Sequence, residues 1–504
     1  MNRFLSTLLS AGLLSVGAMG VGVAAEEKPL ATEATERFPP AGVAAEERPV
    51  TFNRDIAPVV FENCLACHRR GEVAPFPLTT YAEVKKKAET IASALSDKVM
   101  PPWRADEGAE KFHDARALKP EQIALFQRWL EQGMPEGAAA DLPAAPKFPE
   151  GWMLGTPDLV LEPDQPYNVG PEGRDVYQCF VVPTNFTEDR YVSAVQVRPG
   201  NTAVVHHVIL YLDTSGRARQ LDAATPEPGY TSFGGPGFPP VGTLGGWAPG
   251  NFPRMLPDGV GVRLPKGADV VIQVHYHRTG KPEVDRTQVG LYFAKTQVEK
   301  RMRVFSVRAK ELRIPPGEAN YQTEGYLPLP ADVTLLQIMP HMHLLGREMT
   351  VTARFPDGTE RKLVRVPDWD FNWQTTYRFK EPVKLPRGTV LHLTARFDNS
   401  EGNPHNPSKP PHWVTRGEGT TDEMCMAFLF YTVDAENIAK GNEMKGFPDT
   451  FAGSGNPGGG KLRRFLQTLL SGAAPAPAEA GNRSADAEKA PPPPPGTSVV
   501  PAAP

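Results

Sequence analysis

The sequence predicts a small all-α domain followed by two antiparallel β-sandwich domains. Three observations carry this reading. From Phe52 to about Gly133 the pattern is helical. From about residue 153 to 440 the hydrophobic period becomes two, broken by Gly/Pro-rich loops. No long amphipathic helix interrupts that second stretch, and about 280 residues of short strands are too many for one sandwich. The chain has 504 residues, with 54 Pro and 46 Gly, a turn-rich composition for a protein of several domains. A net charge of −4 gives no sign of a nucleic-acid partner.

Residues 1–25 read as a secretory signal. Arg3 precedes an apolar run from Phe4 to about Val23, and Ala24-Ala25 supplies small residues for cleavage. A membrane anchor is the alternative reading of that run, although Gly, Ser and Ala dilute it. No later segment could span a membrane, so the mature chain is expected to be secreted or periplasmic in a bacterium, with no stable span after cleavage. Residues 26–48 form a polar, Ala/Glu/Pro-rich flexible linker in which Gly42–Pro49 nearly repeats Gly22–Pro29.

The all-α domain covers 49–137. Its segment Asn63-Cys64-Leu-Ala-Cys67-His68 is the attachment sequence of a c-type haem. Two thiols at that spacing can each bond a vinyl group, and His68 supplies an axial nitrogen. A zinc knuckle would need a second ligand pair, and no other Cys lies nearby. A helix is expected over about Thr80 to Asp97. Met100 follows it in a loop stiffened by Pro101 and Pro102, which suits a second axial ligand. Met134 is the rival. Pro120 opens a last helix and Gly133 closes it, with Ile123, Phe126, Trp129 and Leu130 on its apolar face. The domain resembles the single-haem class I cytochromes c.

An Ala/Pro linker over 138–152 leads to the first sandwich, 153–300, and then the second, 301–440. Strands are expected at Tyr191, Val204, Val270, Val289 and Val333, and a hairpin turn at Pro356-Asp-Gly358. Residues 451–504 are Gly/Ser and then Ala/Pro and are expected to be disordered. Of four cysteines two belong to the haem motif, so Cys179 and Cys425 form no disulfide framework.

Six of the eleven histidines fall in three close pairs within the β region. In a strand, residues two apart share a face, so His341 and His343 aim at one point. His206 and His207 are adjacent. Both reach one metal only through a bulge, a strand end or ligation through different ring nitrogens. His275 and His277 share a face, and either could be a third ligand. Imidazole suits copper, zinc, iron and nickel, and the thioether of Met424 tilts the choice to copper. His405 and His412 lie in a Pro/Asn-rich loop, read as a surface loop.

His206-His207, Ile-Gln-Val-His275-Tyr, His341-Met-His343-Leu-Leu-Gly and Thr-Asp-Glu-Met424-Cys occur in an order and spacing that resemble the copper type II ascorbate-dependent monooxygenases, the peptidylglycine α-hydroxylating and dopamine β-monooxygenase-like family. The resemblance covers about residues 155–440. It implies two jelly-roll-like domains, with one copper on His206, His207 and His275 and another on His341, His343 and Met424, leaving His277 spare. It implies hydroxylation of an unactivated C–H bond of a small-molecule substrate with O2. Dioxygen is handled at the Met424 site, and the three-histidine site stores the second electron. The family draws electrons from ascorbate. Here the cofactors expected are two copper ions and one covalent haem c, with an external reductant, ascorbate-like or a redox protein, feeding the coppers through the haem. The chain departs from the family's peptide-amidating members. Met339 stands where they carry an Arg for the substrate carboxylate, and Met426 and Phe428 replace an Asn and a Tyr. Peptide amidation is therefore not expected, and the substrate should be less polar. The usual disulfide partner of Cys425 is replaced by Phe397 and that of Cys179 by Ser232, so both thiols are expected free and buried. The rival functions are a periplasmic electron-transfer or copper-binding protein without hydroxylase activity, and a structural β-protein with an appended haem.

Overall fold

A computed structural model describes residues 48–106, 110–149, 151–444 and 447. The expected signal 1–25, linker residues 26–47 and the tail 451–504 lie outside the described residues. The helical unit has a π-helical turn at Phe52–Ile56 and helices at Ala57–Asn63, Tyr81–Lys86, Ala88–Ser96 and Pro120–Glu131. Thr80 caps its helix by accepting from the Glu83 N–H, and Glu83 reaches back to Thr79 and Thr80. The single helix expected over 80–97 is two, broken at Lys87, where ψ is 7°. Nothing in the surrounding side chains explains the break, and the buried face of Val84, Ala88, Ala92 and Leu95 continues across it. Phe52, Ile56, Phe126 and Trp129 close the core of this unit.

The first sandwich packs two five-stranded sheets. One orders its strands Leu159–Leu161, Gln288–Phe293, Arg190–Arg198, Val260–Leu264, Lys300–Arg301; the other orders Tyr230–Thr231, Val176–Pro183, Asp269–Tyr276, Val205–Asp213, Gly242–Trp247. All pairs are antiparallel except Lys300–Arg301 with Val260–Leu264. Alternation sets the core. Val208, Leu210 and Leu212 meet Val270, Ile272 and Val274 inside the sandwich, which turns His207 and His275 to the opposite face. The second sandwich has one sheet ordered Arg303–Arg308, Cys425–Val433, Val333–Met342, Tyr377–Leu385 and another ordered Tyr321–Pro328, Val390–Phe397, Gly346–Arg354, Glu360–Val366. The Pro356-Asp-Gly358 turn joins the last two, with Gly358 at φ +86°. Cys425, Ala427 and Leu429 face the core, and so do Ile338 and Met342. Cys179 and Cys425 are free and buried; Phe397 packs in the same core as Cys425, whereas Cys179 neighbours Tyr230 rather than Ser232.

The helical unit is woven into the second sandwich by its own interior. Between the helices Ala88–Ser96 and Pro120–Glu131 the chain leaves the bundle, and Ala105 and Phe112 become members of the second sandwich's core, with Trp103 packed against it. Backbone bonds join Asp106 N–H to Arg365 O, His113 N–H to Arg378 O and Lys380 N–H to Lys111 O. Arg104 pairs with Asp368 and Asp370, Arg361 with Glu110 and Arg365 with Asp106. Burying an aromatic such as Phe112 contributes about 1.5–3 kcal/mol, more than an exposed ion pair would, so the aromatic contacts anchor this strap and the charges set its register. Among the described residues no helix is long and apolar enough to cross a membrane.

Candidate metal centres

His206 is the extra residue of a β-bulge. Val205 pairs with Tyr276 and His207 with His275, so His206 has no cross-strand partner. Of the three routes open to adjacent histidines, the bulge is the one taken. It swings the His206 ring to the same face as His207. His206 Nδ1 lies 3.2 Å from His207 Nδ1, which lies 3.4 Å from His275 Nδ1. The three imidazoles offer ligand atoms within 4.8 Å of one another. Metal–imidazole bonds of about 2.0 Å at near-tetrahedral to trigonal angles put neighbouring nitrogens about 3.3–3.5 Å apart, so the spacing fits one ion. Asp175 fixes the tautomer. Its carboxylate accepts from His275 Nε2–H at 2.8 Å, leaving the Nδ1 lone pair aimed at the centre. Tyr177 stacks on His275 at 4.2 Å. His277, just past the end of its strand, is exposed and contacts Asp175 instead of the cluster. Burial first, then neighbouring imidazoles, lowers the proton affinity of His207 and brings His275 down to about 4, so both stay neutral ligands at neutral pH.

The second centre lies on the outer face of the second sandwich. His341 pairs with Met426 across the sheet and Met342 with Cys425, a register that sets Met424 opposite His343. Met339, His341 and His343 therefore share one face with Phe428, Met426 and Met424. Both rings are oriented through Nδ1. Gln374 donates its amide to the Phe371 carbonyl, so its Oε1 accepts from His341 Nδ1–H at 2.7 Å. The Asp422 carbonyl accepts from His343 Nδ1–H at 3.1 Å. Each ring thus keeps its Nε2 lone pair free for a metal to take. Burial, then His343, brings His341 down to about 3. Glu423, fully buried, accepts from the N–H groups of His343, Leu345 and Met424, tying the two ligand-bearing segments together. Val304, Met424, Met426 and Phe428, with Met339 and Phe430 against them, form an apolar cluster around the site.

Phe371 joins the two centres. Its ring stacks on His206 at 6.5 Å and meets His343 edge-on at 5.9 Å. Asp175, Gln374, Phe371 and Glu423 escaped the sequence reading as site residues. Glu423 lay inside a recognised motif, but nothing marked the other three, which reach the histidines from distant parts of the chain.

In the helical unit, Cys67 and His68 N–H groups both bond the Cys64 carbonyl, so both thiols sit on one turn. His68 Nδ1 donates to the Phe76 carbonyl at 3.0 Å, which leaves Nε2 as the free lone pair. Met134, at φ +60°, packs against the helical core, while Met100 is half-buried outside it. His405 and His412 are exposed, and their loop is held by the buried Asn399, Asn403 and Asn406.

Residues 301–444 match the family model described as copper type II ascorbate-dependent monooxygenase, C-terminal domain. Over 368 residues the chain is 25% identical to DBH-like monooxygenase protein 1 of Homo sapiens, covering 65% of this chain and 52% of that one. Over 260 residues it is 23% identical to tyramine beta-hydroxylase of Caenorhabditis briggsae, covering 47% of this chain and 41% of that one. The chain spans about half the length of the curated relatives it matches. Among solved structures, the VP2 subviral particle of infectious bursal disease virus aligns over 62% of this chain and 89% of that one at 10% identity, with a TM-score of 0.14, too low to relate the folds. The sequence matches support the copper type II monooxygenase family.

Proposed function

We propose that the chain is an oxidoreductase, a copper monooxygenase that hydroxylates a C–H bond of a small organic substrate with O2, and that electrons reach its coppers through a fused haem c. The observation that carries the reading is the convergence of three imidazole Nδ1 atoms on one point, with the His341/His343 pair and its cross-strand Met424 beside it across Phe371. His206, His207 and His275 hold one copper; His341, His343 and Met424 hold the other. Copper supplies one-electron chemistry with dioxygen that no side chain provides. The protein's part is to fix donors and exclude water. Asp175, Gln374 and the Asp422 carbonyl lock the imidazole tautomers. Met339, Met426, Phe428 and Val304 make the site apolar, and with Met339 where amidating relatives place an Arg, the substrate is less polar than a peptide carboxylate. Cys64 and Cys67 would attach the haem through their thiols, and His68 and Met100 would hold its iron; the His68–Phe76 hydrogen bond favours His68 by freeing Nε2. The chain acts outside the cytoplasm, secreted or in a bacterial periplasm, and takes electrons from an ascorbate-like reductant or a redox protein.

The test is metal analysis of the purified protein together with oxygen uptake against a panel of aliphatic, aromatic and amine compounds. Two coppers per chain and uptake that depends on an added compound are expected, and Met424→Ala should remove the uptake while the three-histidine copper stays bound. Two bound coppers with no substrate-dependent uptake would instead indicate an electron-transfer or copper-holding protein.

A further inference from the structure

Resting on the haem-relay reading above, we propose that Trp103, Tyr377 and Gln374 form the route along which electrons leave the haem, and that they arrive first at the His341/His343/Met424 site rather than at the three-histidine site.

The route begins three residues beyond Met100. Trp103 is carried out of the helical unit by the strap and inserted against the second sandwich. Its N–H bonds the Pro101 carbonyl, so the turn from Met100 to Trp103 is closed. Arg116 ties this turn to its surroundings: it donates to the Pro102 and Gly250 carbonyls and lies over the Trp103 ring at 5.7 Å. Trp103 meets Tyr377 edge-on, ring centres 5.2 Å apart and planes at 90°. Tyr377 is buried and stands three residues along the chain from Gln374. Gln374 Oε1 accepts from His341 Nδ1–H at 2.7 Å. Every step is therefore a ring contact, a hydrogen bond or a covalent bond, the media through which electrons pass more readily than through a gap.

The loop 367–376 also explains the order of arrival. Arg104 of the strap clamps it at Asp368 and Asp370, Gln374 touches His341, and Phe371 stands between His343 and His206. The three-histidine site is thus one contact farther along the same loop. Each transfer moves one electron: the haem iron goes from ferrous to ferric and one copper from cupric to cuprous. A one-electron donor, an ascorbate-like reductant or a redox protein, then restores the ferrous haem. No proton need move.

The measurement is anaerobic rapid mixing of protein that holds cupric copper with just enough reductant to reduce its haem, followed by haem absorbance. In the wild-type protein the reduced haem should be reoxidised. Trp103→Leu should slow this by about tenfold or more with haem spectrum and copper content unchanged, and Trp103→Phe should restore most of the rate. Tyr377→Leu, which removes the ring that Trp103 meets, should slow it as much and serves where the Trp103 variant misfolds. His275→Ala, emptied of the three-histidine copper, should still reoxidise one electron's worth of haem. Unchanged rates in Trp103→Leu and Tyr377→Leu would overturn the route alone. Loss of reoxidation in His275→Ala would overturn the order of arrival. A wild-type haem that is never reoxidised would overturn the relay on which both depend.

Discussion

At the scale of single residues, three of the five candidate imidazoles are fixed by a hydrogen bond at one ring nitrogen. Asp175 takes Nε2–H of His275, whereas Gln374 and the Asp422 carbonyl take Nδ1–H of His341 and His343. The two candidate centres therefore leave opposite ring nitrogens free, Nδ1 of His275 and Nε2 of His341 and His343. Asp175→Asn leaves a weaker acceptor behind His275 and should lower copper affinity at the three-histidine site by about 10–100-fold without altering the other site. Competition with a chromophoric chelator reads this directly, and equal affinities would remove Asp175 from the design. The shared face of His341 and His343 was legible because strand alternation is a local rule. Asp175 and Gln374 were not, because they lie 100 and 33 residues from the histidines they hold.

At the scale of elements, the site depends on one irregularity and one close approach. The bulge at His206 turns two adjacent rings to one face, and a regular strand would have separated them. The close approach is at Gly325 in the strand Tyr321–Pro328. A Cβ there would stand 1.9 Å from the Arg308 carbonyl oxygen, on the strand next to the one carrying Met424–Phe428. Gly325→Ala should force the two sheets apart and cost about 1–3 kcal/mol in denaturant unfolding. An unaltered midpoint would mean that the edge strand moves freely. Strand positions were readable from their period, and so was the Pro356-Asp-Gly358 turn. The bulge was only one of three options, since two adjacent polar residues look the same in sequence whether or not the register slips between them.

At the scale of the whole molecule, the two sandwiches are joined by a buried charge cluster. Glu436 accepts from Arg301 and Arg303, on either side of the crossing at Met302, and Ile438 N–H bonds the Glu299 carbonyl. Burial works to raise the Glu436 carboxyl, and hydrogen bonds from Arg303 and Arg301 overcome it, holding the group at about 2 against an ordinary 4.5. Its contribution is then fully present above pH 4.5 and is lost as pH falls toward 2. Glu436→Gln should cost about 3–5 kcal/mol at neutral pH, because Glu436 is the buried carboxylate that both guanidiniums share, and the variant should lose less than the wild type between neutral pH and pH 3. Parallel acid profiles of the two proteins would deny that role. The sequence by itself determined the turn at Cys64–His68, the three histidine pairs, the two sandwiches and the apolar residues beside Met424, because each follows from spacing along a few neighbouring residues. Only the tertiary structure decided that Nδ1 is left free in His275 and Nε2 in His341 and His343, that Phe371 stands between the two clusters, and that the helical unit threads Trp103 and Phe112 into the second sandwich. These rest on contacts between residues tens to hundreds of positions apart, and no periodicity encodes which distant surfaces meet when the chain buries its apolar area.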